Sequence, residues 1–146
     1  MVNTQAKKRF ISYIKSKKLR YTKQREEILE AFLSMKKHFT IEELYGKLLR
    51  KNTELGYATL YRTLKLIREC GLSNEMNFLN TKKRFERSFN EDHHDHLICL
   101  ECGMIIEVKS LRIEELQEKL AQEKGFLPQK HRLEIYGLCR ECKEPP

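Results

Sequence analysis

Apolar residues in the first half of the chain recur at helical spacing. From Thr22, Ile28, Leu29, Phe32 and Leu33 form one stripe while charged residues fill the opposite face, which predicts a first core helix. Thr40 with Glu43 three residues on is a capping-box signature. Ile41, Leu44, Tyr45, Leu48 and Leu49 then fall at i, i+3, i+4, i+7 and i+8 of a second helix. After Gly56, Leu60, Leu64 and Ile67 share one face of a third helix that runs to Cys70. Thr59, Arg62 and Lys65 point to solvent and Gly71 is the residue that stops it. From Ser73 to Phe89 the alternation switches to a period of two about a turn-like Asn80-Thr81, as in a short β-hairpin. Helix, helix, helix, hairpin is the order of a winged helix.

The second half has a different rhythm. HLICL and MIIEV flank Glu101-Cys102-Gly103 and read as another hairpin. Ser110 to Lys124 carries Ile113, Leu116 and Leu120 at helical spacing, Gly125 ends that helix, and HRLEIYGLC is a last strand. The fold class expected is α+β: an N-terminal winged-helix domain over residues 1–90, then a small α/β domain over 91–146 whose exposed sheet edge or face pairs with a second copy.

Charge sharpens this division. Residues 1–90 hold 21 Lys and Arg against 9 acidic residues, a net +12, while residues 91–146 hold 8 against 12, a net −4. A basic half nominates a polyanion partner, although charge alone does not separate nucleic acid from an anionic membrane. No stretch approaches the roughly 20 apolar residues of a membrane span, and MVNTQAKKRF lacks the apolar region of a secretory signal. The expected location is therefore the cytosol, with no membrane partner. There, five cysteines are better read as metal ligands than as disulfides.

Cys99-x-x-Cys102 and Cys139-x-x-Cys142 are two CxxC pairs separated by 36 residues, each just after a predicted strand where a tight turn can aim both sulfurs at one point. Four thiolates in such pairs close a tetrahedral zinc site; buried free thiols or a disulfide are the competing readings. Cys70 stands alone at a helix end and reads as a core residue. In His93-His94-Asp95-His96, strand alternation turns His94 and His96 one way and His93 and Asp95 the other, so one strand can feed two separate metal sites; a solvated histidine loop is the alternative. The sequence has neither the His-x-Glu with Pro-Cys-x-x-Cys of zinc deaminases nor HExxH, and no phosphate-cradling glycine loop. A zinc-dependent enzyme acting on nucleic acid is thus the weaker hypothesis, and no small organic substrate is expected.

The order GYATLYRTL, RFE, HHDHLICLECG, IIEV and a terminal CxxC, from about Leu19 to Cys142, resembles the ferric uptake regulator family of bacterial repressors. The resemblance implies a homodimer. Its N-terminal winged helices would bind a palindromic operator in double-stranded DNA, and its C-terminal domains would dimerise. It implies a metal-dependent repressor controlling iron uptake and homeostasis, with His38, Glu86, His94, His96 and Glu107 as ligands of a regulatory Fe²⁺ or Mn²⁺, or of Zn²⁺. His93, Asp95, Glu114 and His131 match a second metal site, and Cys99, Cys102, Cys139 and Cys142 match a structural Zn²⁺ site. Peroxide-sensing and zinc-uptake regulators are alternatives within the same family. The peroxide-sensing branch usually has Asp where this chain has Glu107, and often Asp at Glu86, which favours iron-responsive control.

For DNA contact, Tyr57, Thr59, Tyr61 and Arg62 at the start of the third helix are placed in or beside the major groove, while Arg20 and Arg25 with the Lys-rich first segment reach phosphates. Tyr61 fits a core position equally well. Lys7, Lys8, Lys17 and Lys18, each taken singly, read as a solvated face.

Overall fold

The structure is a computed structural model that describes residues 2–36, 38–51, 54–79, 82–88 and 93–144. The chain divides into two compact units, Met1–Glu91 and Asp92–Pro146. The expected turn at Asn80-Thr81 and the expected domain boundary at Asn90 both fall outside the described residues.

The first unit contains α1 (Val2–Ser16), α2 (Lys23–Ser34), α3 (Ile41–Leu49), α4 (Tyr57–Glu69) and a hairpin of β1 (Ser73–Met76) with β2 (Arg84–Arg87). Helices α2, α3 and α4 are the three that the periodicity predicts. Thr22 Oγ1 accepts the Arg25 amide at 3.2 Å. At α3 the capping box closes in both directions, Glu43 N to Thr40 Oγ1 at 3.2 Å and Thr40 N to Glu43 Oε2 at 3.0 Å. Helix α1 was not foreseen. It contributes Ala6, Phe10 and Ile14, all fully buried, at i, i+4 and i+8 to the same core as Ile28, Phe32, Leu44, Leu60 and Ile67.

Helix α4 ends in a Schellman motif. Leu72 N–H bonds the Ile67 carbonyl at 3.1 Å and Gly71 N–H bonds that of Arg68 at 3.0 Å, with Gly71 at φ 80° and Leu72 and Ile67 both fully buried. The chain then turns directly into β1, whose pairing with β2 is antiparallel with Glu75 opposite Phe85. A two-residue bridge between Phe39 and Phe85 ties the loop before α3 to the hairpin, with backbone bonds of 3.0 and 2.7 Å.

The second unit contains β3 (Asp95–Cys99), β4 (Ile105–Val108), α5 (Leu111–Glu123), β5 (Glu134–Gly137) and a one-turn α6 (Arg140–Lys143). Its sheet has the order β4-β3-β5, antiparallel between β3 and β4 and parallel between β3 and β5. Helix α5 forms where periodicity predicts it, with Ser110 as its N-cap, yet no residue of α5 is buried within the chain. Leu116, Leu120, Phe126 and Ile135 are each more than half exposed, so the apolar stripe read from the sequence is not covered by this chain's own core.

Candidate metal centres and DNA-binding surface

The four predicted cysteines converge. Cys99 closes β3, and the turn after it is held by Gly103 N to Cys99 O at 3.0 Å and Cys99 N to Met104 O at 2.9 Å, with Gly103 at φ 75°. Leu100 N–H bonds the Gly137 carbonyl at 2.8 Å, which brings the chain after β5 alongside. The second pair departs from the expected turn. Cys139 is the N-cap of α6, and Cys142 lies three residues on, on the same face of that helical turn.

The four sulfurs lie within 4.8 Å of one another, and Cys102 and Cys139 are 3.7 Å apart. Tetrahedral corners at a Zn–S bond of about 2.3 Å are about 3.8 Å apart, so the donor set and its spacing fit Zn²⁺. Backbone N–H groups of Cys102 and Cys139 hold the Cys99 thiol down to about 6, the Cys139 amide reaching its sulfur at 3.3 Å. The crowding of thiols acts oppositely on Cys142, which Cys139 and then burial push well up. Four thiolates cannot share so small a volume without a cation, and a dication removes that conflict. Cys70 is buried, with its thiol on the Ile67 carbonyl, as expected of a core residue.

His93, His94, Asp95 and His96 segregate into two groups as expected, although β3 itself holds only Asp95 and His96 and the other two histidines lie just before it. On one side, His93 Nε2 stands 3.1 Å from Asp95 Oδ1 and 3.4 Å from Glu114 Oε1, and His131 Nε2 stands 3.0 Å from Glu114 Oε2. The His93 and His131 rings are 4.4 Å apart, and one ligand atom from each of these four residues fits within 4.8 Å. Helix α5 supplies Glu114, and the segment before β5 supplies His131. Two imidazoles and two carboxylates at these separations match a nitrogen and oxygen site for a divalent metal.

On the other side, the His94 and His96 rings are 4.9 Å apart. His96 lies opposite Glu107 in the β3–β4 register, and Glu107 Oε1 is 3.9 Å from His94 Nε2. In the first unit, His38 Nε2 and Glu86 Oε2 are 3.2 Å apart and both are largely buried. The Phe39–Phe85 bridge explains this meeting, since it sets their immediate neighbours, 38 and 86, beside each other.

Tyr57 and Tyr61 are 45% and 57% exposed on α4, which removes Tyr61 from the core; Arg62 is exposed beside them and Thr59 is half-buried. Lys18, Arg20, Arg25, Thr59 and Arg62 line one open cleft, and Arg25 donates to the Arg20 carbonyl, which holds the loop before α2. Lys7 pairs with Glu26 and Lys17 lies over the Tyr13 ring, so these two lysines have partners within the unit.

The model of the ferric uptake regulator family matches residues 16–136. The chain is 38% identical over 136 residues to the ferric uptake regulation protein of Campylobacter jejuni, covering 92% of this chain and 86% of that one. Among solved structures, it is similar to the ferric uptake regulator of Helicobacter pylori, described as having three functional metal binding sites, with a TM-score of 0.89 at 26% identity over 98% of this chain and 95% of that one. It is also similar to the iron-containing regulator of Francisella tularensis, with a TM-score of 0.75 at 35% identity over 86% and 96% of the two chains. The chain belongs to the ferric uptake regulator family.

Proposed function

We propose that this chain is a metal-dependent DNA-binding repressor of iron uptake and homeostasis, working in the cytoplasm as a homodimer on a palindromic operator. The observation that carries this reading is a division of ligands. The basic unit offers His38 paired with Glu86, and the second unit offers His94 and His96 beside Glu107. Each is by itself a partial ligand set, and an ion that drew on both would have the mixed nitrogen and oxygen donors that suit Fe²⁺ or Mn²⁺. A regulatory ion that needs both sets selects the conformation in which they can share it.

The remaining sites have different tasks. Cys99, Cys102, Cys139 and Cys142 hold a structural Zn²⁺, whose bonds replace hydrophobic burial that so small a unit lacks. His93, Asp95, Glu114 and His131 hold a second divalent ion and tie α5 to the start of β3. The exposed apolar residues of α5 and β5 meet the second copy. Tyr57, Thr59, Tyr61 and Arg62 approach the major groove, while Arg20 and Arg25 meet phosphates. Binding, with no turnover of DNA or RNA, is the activity. Glu86 and Glu107, in place of aspartates, and the matched relatives' names favour iron control over peroxide or zinc sensing.

The test is DNA binding at fixed salt by the zinc-replete protein, using a duplex selected from a randomised pool, titrated with Mn²⁺ or Fe²⁺ and then exposed to dilute hydrogen peroxide. Binding that needs the added ion and survives peroxide is expected. His94→Ala and Glu107→Ala should fold normally and lose the metal response, whereas Cys99→Ser and Cys142→Ser should lose zinc and the fold. Unfolding by both classes of variant would refute the division into structural and regulatory sites, and loss of binding at low peroxide with oxidation at His38, His94 or His96 would reassign the chain to peroxide sensing.

A further inference from the structure

An acidic side chain, Glu75, shares a cleft with Tyr61 of α4 in the basic first unit. Glu75, on β1, uses both carboxylate oxygens: Oε2 accepts from Arg68 Nη1 of α4 at 2.6 Å, and Oε1 meets Lys83 Nζ, just before β2, at 2.7 Å. Burial alone would push this carboxyl up; the hydrogen bonds and charges of Lys83 and Arg68 outweigh it and hold Glu75 ionised below the usual carboxylate range. Glu75 lies opposite Phe85 on the hairpin face that shares a cleft with Tyr61, Leu64, Lys65 and Arg68. The bridge therefore joins α4, β1 and the residue that leads into β2. Its side chain is 16% exposed, while those of Arg68 and Lys83 are 43% and 46% exposed, so the acid is sheltered and its basic partners face outward.

We infer that Glu75 is a positioning residue for DNA recognition: by holding Arg68 of α4 and Lys83 of the hairpin on one carboxylate, it fixes where the wing's Lys82-Lys83-Arg84 run stands relative to Tyr61 and Arg62. The inference rests on the DNA-binding function proposed above. Two effects oppose each other here, and they predict opposite signs. As a plain negative charge near a polyanion, Glu75 weakens DNA binding, and its removal strengthens it. As a positioning group, it lets wing cations reach phosphates at a fixed place, and its removal weakens binding.

The experiment uses the full zinc-replete, Mn²⁺-loaded protein and a duplex that this protein selects from a randomised pool, with affinity measured across a range of salt. For Glu75→Gln we expect binding about three- to tenfold weaker despite the loss of a negative charge. The salt slope should fall by about 1 for each copy of the chain as a wing phosphate contact is lost. Arg68→Gln should weaken binding in the unmodified background and have little further effect in Glu75→Gln, because both act through the same bridge. Equal or tighter binding by Glu75→Gln with an unchanged slope, or additive losses in the double variant, would overturn the inference and leave the DNA-binding reading intact. Failure of the unmodified protein to select any duplex would overturn that reading, and this inference with it.

Discussion

Lys18 is the only non-glycine residue with a positive φ among the described residues, at 57°. It ends α1 as Gly71 ends α4: Leu19 N–H bonds the Ile14 carbonyl at 3.0 Å, and Lys18 N–H bonds that of Lys15 at 2.9 Å. A lysine in this left-handed position carries the Cβ strain that glycine avoids. Lys18→Gly should stabilise the protein by about 0.5–1 kcal/mol, the relief of strain exceeding the added freedom of the unfolded chain, as checked by urea denaturation at fixed metal. Gly71 was readable in the sequence as a helix stop because its residue type announces the conformation, and nothing about Lys18 does. The metal ligands divide in the same way. The cysteine pairs are legible because CxxC spacing is itself the geometry. By contrast, the meeting of His38 with Glu86 depends on the Phe39–Phe85 bridge between distant segments, which only the family resemblance could anticipate.

Helices α1 and α5 differ in what covers them: periodicity gave no sign of α1, and for α5 it predicted the helix without saying what covers its apolar face. In α1 the apolar stripe is only Ala6, Phe10 and Ile14, set among Lys7, Lys8, Arg9 and Lys15, so it resembles a solvated basic segment; the family model starts only at its last residue. Packing reverses that impression. Phe10 is fully buried and meets the Tyr21 ring edge-on at 6.4 Å, while Tyr13 Oη donates to Glu69 of α4 at 2.8 Å. Phe10→Ala should cost about 3–5 kcal/mol by removing a large core side chain, read as a lower denaturation midpoint with an unchanged denaturant dependence. In α5 the stripe of Ile113, Leu116 and Leu120 was clear, but periodicity states only that a face is apolar. It does not say whether the same chain or another copy covers it, and here the chain leaves Leu116 and Leu120 exposed.

For the whole molecule, the charge division and the ligand division follow the same boundary: a basic unit suited to DNA carries one part of the proposed regulatory ligand set, and an acidic unit carries the other. An ion can shift a conformational equilibrium only by its preference for one state, and the coupling this creates between metal and DNA is reciprocal. If Mn²⁺ raises the affinity for DNA about 100-fold, a coupling of about 2.7 kcal/mol, DNA must raise the affinity for Mn²⁺ by the same factor. The measurement is a Mn²⁺ titration of the zinc-replete protein, free and then saturated with its selected duplex. His94→Ala should abolish the difference between the two titrations while leaving both residual metal affinity and the fold in place. A metal affinity that DNA leaves unchanged would mean that the ion fills a site without governing recognition, and the ligands divided between the two units would then have to be read as structural.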